Sequence, residues 1–295
     1  MPMLNGGFLV FTLTIIGGAG RLGKSLAILS RDRGHRVKVF DLPVADFSGL
    51  EGVEQIKGNI TDAPAITSAI RGADVVIHLA ALLPPKSEVN REVTWSINVG
   101  GTKNVINAIS SLNPSIQLIF SSSVTTYGDS TKEKYPIHID CPQYALDIYA
   151  ETKIASEEVI KASPLPWTIL RIAGIAVPEF LEPPQVWPFQ REQRVEFVNC
   201  DDVALAIANC VENSAVRHKV LNISGGLSWQ MLGWQYVKSY YDIYELPLDG
   251  AKFQDNPGWT NWYDTDESQR LLAYQQTSWK DFLARLTQAV EEAMG

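Results

Sequence analysis

Residues 8–25, FLVFTLTIIGGAGRLGKS, run from an apolar, β-branched stretch straight into a glycine turn and then into a helical pattern. Few folds accept that order. A buried strand that ends in close-set glycines and opens a helix leaves backbone N–H groups at the helix start pointing into the turn, where a phosphate fits. Two incompatible loops can be read there. Gly18, Gly23, Lys24 and Ser25 match the G-x-x-x-x-G-K-[ST] loop of a nucleotide triphosphatase, while Gly18, Gly20 and Gly23 match the G-x-G-x-x-G turn of a dinucleotide-binding fold. Gly17, Gly20 and Gly23 give an evenly spaced variant of the second.

The next strand pattern, HRVKVFD, decides between them. It ends in Asp41, 21 residues past Gly20, where a dinucleotide fold places a carboxylate for the adenosine ribose. A triphosphatase needs a strand-terminal Asp for magnesium, but DVVIHLA carries Asp74 at its start and His78 near its end. The dinucleotide reading is preferred, and Lys24 and Ser25 become helix residues. A carboxylate also repels a 2′-phosphate, so NAD is expected rather than NADP. No metal site is expected.

From residue 8 to about 172, β-branched runs alternate with helical stretches, which predicts a doubly wound parallel sheet of Rossmann type. FLVFTLTII, HRVKVFD, VEQIKG, DVVIHLA, IQLIFSS and WTILRIA read as its strands. The proline-interrupted segment PEFLEPPQVWPFQREQR marks a change. We therefore expect a dinucleotide-binding core over 1–173 and a small substrate-binding lobe over 174–295, with 195–224 rejoining the core through VEFV, DDVALAIANCVE and KVLNIS. A final amphipathic helix is expected at SWKDFLARLTQAVEEAM.

The formal charge of −8 lacks a basic cluster, so nucleic acid is not an expected partner. Cys141, Cys200 and Cys210 show no paired spacing and read as structural thiols in a reducing compartment. FLVFTLTII is not preceded by a basic residue and feeds the glycine turn, so neither a leader nor a membrane span is expected. The expected location is the cytoplasm.

Among ten tyrosines, Tyr149 alone has a lysine four residues later, in YAETK. On a helix that spacing puts Tyr149 and Lys153 on one face, where an ammonium would lower the phenol pKa and make it a usable acid and base. Upstream, LIFSSSVTTYG runs into a hydroxyl-rich tip at the carboxyl edge of the sheet, where a reacting oxygen could dock.

Taken in order, IIGGAGRLG, Asp41, GNITD, VIHLAA, NVGGTKNVINA, FSSSVTTYG, YAETK, LRIAG and FVNCDDVALAI resemble the extended short-chain dehydrogenase/reductase family, in its epimerase and dehydratase branch. The resemblance implies that Gly17, Gly20 and Gly23, with Arg21 and Leu22, frame a pyrophosphate, and that Asp41 binds the adenosine ribose. Asn59 and Ile60 would touch adenine, although the family usually has Asp at Asn59. Leu79, Ala80 and Ala81 would line the cofactor, Asn98 would sit near the site, and Lys153 would hold the nicotinamide ribose. Tyr149 would be the acid/base and Ser123 its assisting hydroxyl, with Ser122 as the fallback. Dimerisation through the helix bearing Tyr149 and the one after NVGGTKN is implied as well.

Departures from the family narrow the reading. Family dehydratases carry an Asp-Glu pair where this chain has Val124 and Thr125, so elimination lacks its acid. Nucleotide-sugar enzymes of the family place Asn three residues after the LR arginine, and here Gly174 follows Arg171 at that distance. Only 26 residues separate Gly174 from Asp201, short for housing a nucleotide diphosphate. Arg191 and Arg194 are the candidates for an anion clamp. Trp187, Trp229, Trp234, Trp259 and Trp262 supply candidate stacking surfaces, of which one or two are expected at the site. The expected activity is NAD-dependent hydride transfer to or from a carbinol or carbonyl carbon of a sugar-like or other small hydroxylated substrate. An epimerase that keeps its NAD, and a non-catalytic dinucleotide-binding regulator, are the alternatives.

Overall fold

A computed structural model describes residues 3–5 and 8–294. At its centre lie seven parallel strands: β1 (Thr12–Ile16), β2 (Arg36–Asp41), β3 (Glu54–Lys57), β4 (Val75–His78), β5 (Gln117–Ser123), β6 (Trp167–Ile172) and β7 (Lys219–Ile223). Their spatial order is β7-β6-β5-β4-β1-β2-β3. The order reverses between β1 and β4, and at that switch point a crevice opens outside the carboxyl ends of the strands.

Helices cover both faces, as the unbroken apolar strands require. They are α1 (Arg21–Asp32), α2 (Ala63–Ile70), α3 (Arg91–Trp95), α4 (Gly101–Leu112), α5 (Ile148–Lys161) and α6 (Cys200–Val211). Because side chains alternate along a strand, Leu13 and Ile15 pack on the face shared with Leu26 and Ile207, while Ile16 and Val76 pack on the face with Ile66 and Val105. A π-helical turn, Ser96–Gly100, joins α3 to α4 and carries Asn98.

The single strand expected over FLVFTLTII is broken. Phe8–Val10 pairs antiparallel with Met3–Asn5, and only Thr12–Ile16 enters the main sheet. VEFV is also split: Val195 pairs with Met231, whereas Phe197–Asn199 pairs parallel with Gly174–Ala176. Glu196, fully buried between the two pieces, directs the chain from one to the other.

Past β7 come α7 (Gly233–Ile243), α8 (Asp266–Leu272) and α9 (Trp279–Met294). Aromatic residues fill the space beneath them. Trp187 sits among Phe189, Tyr236 and Tyr241, and Trp229 packs edge-on to Trp279 at 4.9 Å between centroids. Trp187 and Trp229 are therefore core residues, and the stacking role considered for them is not available.

Candidate active site

The crevice at the switch point encloses about 840 Å³ and is walled by the turns after β1, β2, β3, β4, β5 and β6 together with the start of α5. Gly17, Gly20, Arg21, Leu22, Gly23, Asp41, Asn59, Ile60, Leu79, Ala80, Ala81, Ser123, Tyr149 and Lys153 all line it. Asn98 does not. Its amide oxygen accepts from the Leu82 N–H at 2.7 Å and its nitrogen donates to Thr152 Oγ1 at 2.9 Å, so it holds the wall in place from behind.

The glycine turn fits a pyrophosphate for reasons visible in its geometry. Gly17 has φ +84°, and a Cβ there would lie 2.6 Å from Ala80 N. A Cβ on Gly23 would strike Gly18 Cα at 2.5 Å, so helix and turn touch through bare backbone. Gly20 caps α1 with no side-chain bond and no acidic residue in the first turn, which leaves the positive helix end for an anion. Lys24 is drawn off to Asp46 at 2.8 Å, and Asp74 accepts from Thr12 N at the opposite end of the sheet, so a triphosphatase arrangement is missing both its lysine and its magnesium carboxylate.

Asp41 closes the turn as well as facing the crevice. One oxygen accepts from Ala19 N at 2.9 Å and the other from Leu42 N at 2.7 Å. Each carboxylate oxygen has a further lone pair to offer. Asn59 Oδ1 accepts from Thr61 N at 3.0 Å.

At the other end of the crevice, α5 begins at Ile148, capped by Asp147, which accepts from Ala150 N at 2.7 Å. Glu88 accepts from Ile148 N and Tyr149 N at 2.9 and 3.2 Å. These two acids fix the first turn and with it Tyr149. The cap at Asp147 leaves residues 144–146 outside the helix. Lys153, one turn on, donates to the Ser121 carbonyl at 2.6 Å and lies 5.5 Å from the Tyr149 ring centre.

Ser123 faces the Tyr149 phenol, and its hydroxyl accepts from Thr125 N at 3.1 Å. Ser122 is committed elsewhere. Its hydroxyl donates to Glu157 at 2.6 Å, and Glu157 is bound in turn by Arg171 at 2.8 and 3.0 Å, with both partners buried.

The electrostatics reverse one expectation. Burial, with the nearby Asp147 carboxylate second, pushes the Tyr149 phenol well above its ordinary 10. Burial also lowers Lys153 to about 7. A lysine so desolvated is not the full positive charge that would have lowered the phenol. A phenol raised in this way is a protonated donor at neutral pH.

The arginines proposed as an anion clamp lie elsewhere too. Arg194 bonds Asn261 and the Thr131 carbonyl and stacks on Tyr135, while Arg191 is exposed beside Glu192. Wall residues without a sequence signal include Asp147, Leu82, Leu83, Pro84, Ile175 and Val177; Thr125 stood out only as a missing acid. Of the five tryptophans singled out, Trp259 alone is on the wall.

A doubly wound sheet with a glycine turn, a carboxylate at the end of β2 and a tyrosine–lysine helix over one crevice suits a dinucleotide-binding protein. The model of the NAD dependent epimerase/dehydratase family matches residues 13–179, and the chain belongs to that family. That family is NAD dependent. A sterol-4-alpha-carboxylate 3-dehydrogenase, decarboxylating, of Homo sapiens is 30% identical over 219 residues, 70% of this chain and 56% of its own. A 3 beta-hydroxysteroid dehydrogenase/Delta 5-->4-isomerase of Mycobacterium tuberculosis is 28% identical over 153 residues, 50% of this chain and 41% of its own. The chain spans about half the length of these curated relatives. The solved UDP-glucose 4-epimerase of Brucella ovis in complex with NAD has a TM-score of 0.81 at 20% identity, over 96% of this chain and 98% of that one, a likeness of fold. Among the described residues no helix is long and apolar enough to cross a membrane.

Proposed function

We propose that the protein is an oxidoreductase that exchanges a hydride between NAD and a carbinol or carbonyl carbon, with Tyr149 as the acid/base. The supporting observation is that Ser123, Tyr149 and Lys153 share one crevice with the glycine turn and Asp41. Gly17, Gly20 and Gly23 with the start of α1 would hold the pyrophosphate, Asp41 the adenosine ribose, and Lys153 the nicotinamide ribose. NAD, when bound, supplies the hydride acceptor or donor. Ser123 positions the substrate oxygen by a hydrogen bond. Tyr149, protonated in its buried setting, delivers a proton to a carbonyl oxygen in reduction and takes it back in oxidation. Leu79, Ala80 and Ala81 keep water from the apolar side.

The test is Tyr149→Phe. We expect turnover to fall by ~10²- to 10⁴-fold while NAD affinity is kept. Wild-type turnover in that variant would overturn the assignment. The epimerase reading is favoured by one feature, an ion pair between Arg21 on the crevice wall and Glu179, two residues past Val177 of the same wall, which would help retain NAD. It predicts substrate conversion without net NADH.

A further inference from the structure

The carboxyl end of β5 projects past one of its neighbours. β4 stops at His78, paired with Phe120, so Ser121, Ser122 and Ser123 have β6 on one side and the crevice on the other. On the open side the backbone lacks the ladder that would fix its register. Helix α5 supplies the grip instead. Lys153 donates to the Ser121 carbonyl at 2.6 Å, the Ser122 hydroxyl donates to Glu157 at 2.6 Å, and Ser123 faces the Tyr149 phenol. Tyr149, Lys153 and Glu157 stand four residues apart on one face of the helix, and together they meet the last three residues of the strand.

Glu157 is fully buried and does not line the crevice. Its Oε1 accepts from Ser122 and from Arg171 Nε at 3.0 Å, and its Oε2 accepts from Arg171 at 2.8 Å, Lys161 at 2.9 Å and Gln143 at 3.2 Å. Although burial works against ionisation, Arg171 and Ser122 hold this carboxyl below its ordinary range. Ser122 and Arg171 are direct cross-strand neighbours, so one carboxylate fastens the ends of β5 and β6 to α5. Arg171 is itself held by the Ile139 carbonyl at 2.9 Å and lies over the Tyr127 ring at 4.9 Å. An apolar pair of the same volume often serves stability as well as a buried ion pair does; what it lacks is a fixed direction.

That direction matters because Ser122 and Ser123 both reach the crevice wall. With the Ser122 hydroxyl drawn to Glu157, Ser123 is the one left beside the phenol.

We propose that Glu157 is a positioning residue: by taking the Ser122 hydroxyl and the Arg171 guanidinium together, it fixes the overhanging end of β5 against α5 and so sets Ser123 on the Tyr149 phenol. The inference rests on the reading of Ser123 and Tyr149 given above.

The experiment reads Tyr149 directly. In the full chain with its tyrosines isotopically labelled at Cζ, the Tyr149 resonance is the one that Tyr149→Phe removes, and its position reports the hydrogen bonding of the phenol. Ser123→Ala gives the reference shift for loss of the facing hydroxyl. Glu157→Gln strands a buried guanidinium, so the deciding variant is the milder Ser122→Ala, which keeps the ion pair. Ser122→Ala is expected to move the Tyr149 resonance in the same direction as Ser123→Ala. Lys161→Met, which removes a partly exposed partner of the same carboxylate, is expected to leave it in place. A merely structural hydroxyl would lower Tm on removal and spare the resonance; that result, a shift in the other direction, or an equal shift in Lys161→Met would each overturn the proposal. The two readings separate in the same spectra. A resonance unmoved by Ser123→Ala fails the pairing of Ser123 with Tyr149 and the inference with it, whereas one moved by Ser123→Ala and not by Ser122→Ala fails the present inference alone.

Discussion

Tyr149 and Lys153 were visible as a pair because helical spacing is written in the sequence; their protonation was not. The chain positions that bury them lie far away, on β5 and the turn after β4, and no local pattern reports desolvation. Lys153 falls from its ordinary 10.5 to about 7 by burial, only partly offset by Glu157. Between those values the unfolded chain holds a proton that the folded chain has released, so stability rises with pH across about 7 to 10, by at most ~1.4 kcal/mol per unit. Tyr149 acts in the opposite sense and only above its ordinary 10. Denaturant midpoints of the cofactor-free protein should therefore climb from pH 7 to 9, and Lys153→Met should flatten that climb. An equal slope in both proteins would show that Lys153 keeps its proton in the fold.

At the scale of elements, the core strand runs and the helix after the glycine turn were legible from β-branched stretches alternating with helical ones, although the break inside FLVFTLTII was not. What escaped was the join near Glu196, where VEFV reads as one strand and serves two. The cause is a buried carboxyl that accepts from Gly226 N and Tyr263 N, each at 2.9 Å, and from Gln230 at 3.1 Å, contacts that reach across up to 67 residues. Burial outweighs those donors and raises Glu196 to about 7. A carboxyl raised in this way contributes stability that is full below about 4.5 and lost as pH rises through about 7. Relative to Glu196→Gln, the wild type should lose stability across that window, as thermal melts at pH 4.5, 5.5 and 7 would register. A constant difference would mean that the carboxyl stays ionised throughout.

Across the whole molecule, the glycine turn and Asp41 lie over a hundred residues from the tyrosine helix in the chain and converge with it because the strand order reverses between β1 and β4. Motif order in the sequence carried that convergence; the placement of Arg191 and Arg194 outside the crevice depended on packing in the carboxyl-terminal lobe and could not be read beforehand. Arg21, at the head of α1, meets Glu179 on the segment that follows β6, and both side chains are about half exposed, 53% and 52%. Exposed pairs of this kind contribute about 0–1 kcal/mol. Glu179→Ala should speed NAD release by no more than about fivefold, a size that fits such a pair, and stopped-flow dissociation would measure it; no change at all would mean that the pair does not hold NAD in solution. The strength of this bridge is close to thermal agitation, and ions weaken it further. Traffic of nucleotide into and out of the protein would then follow the ionic strength of its surroundings, without a dedicated opener.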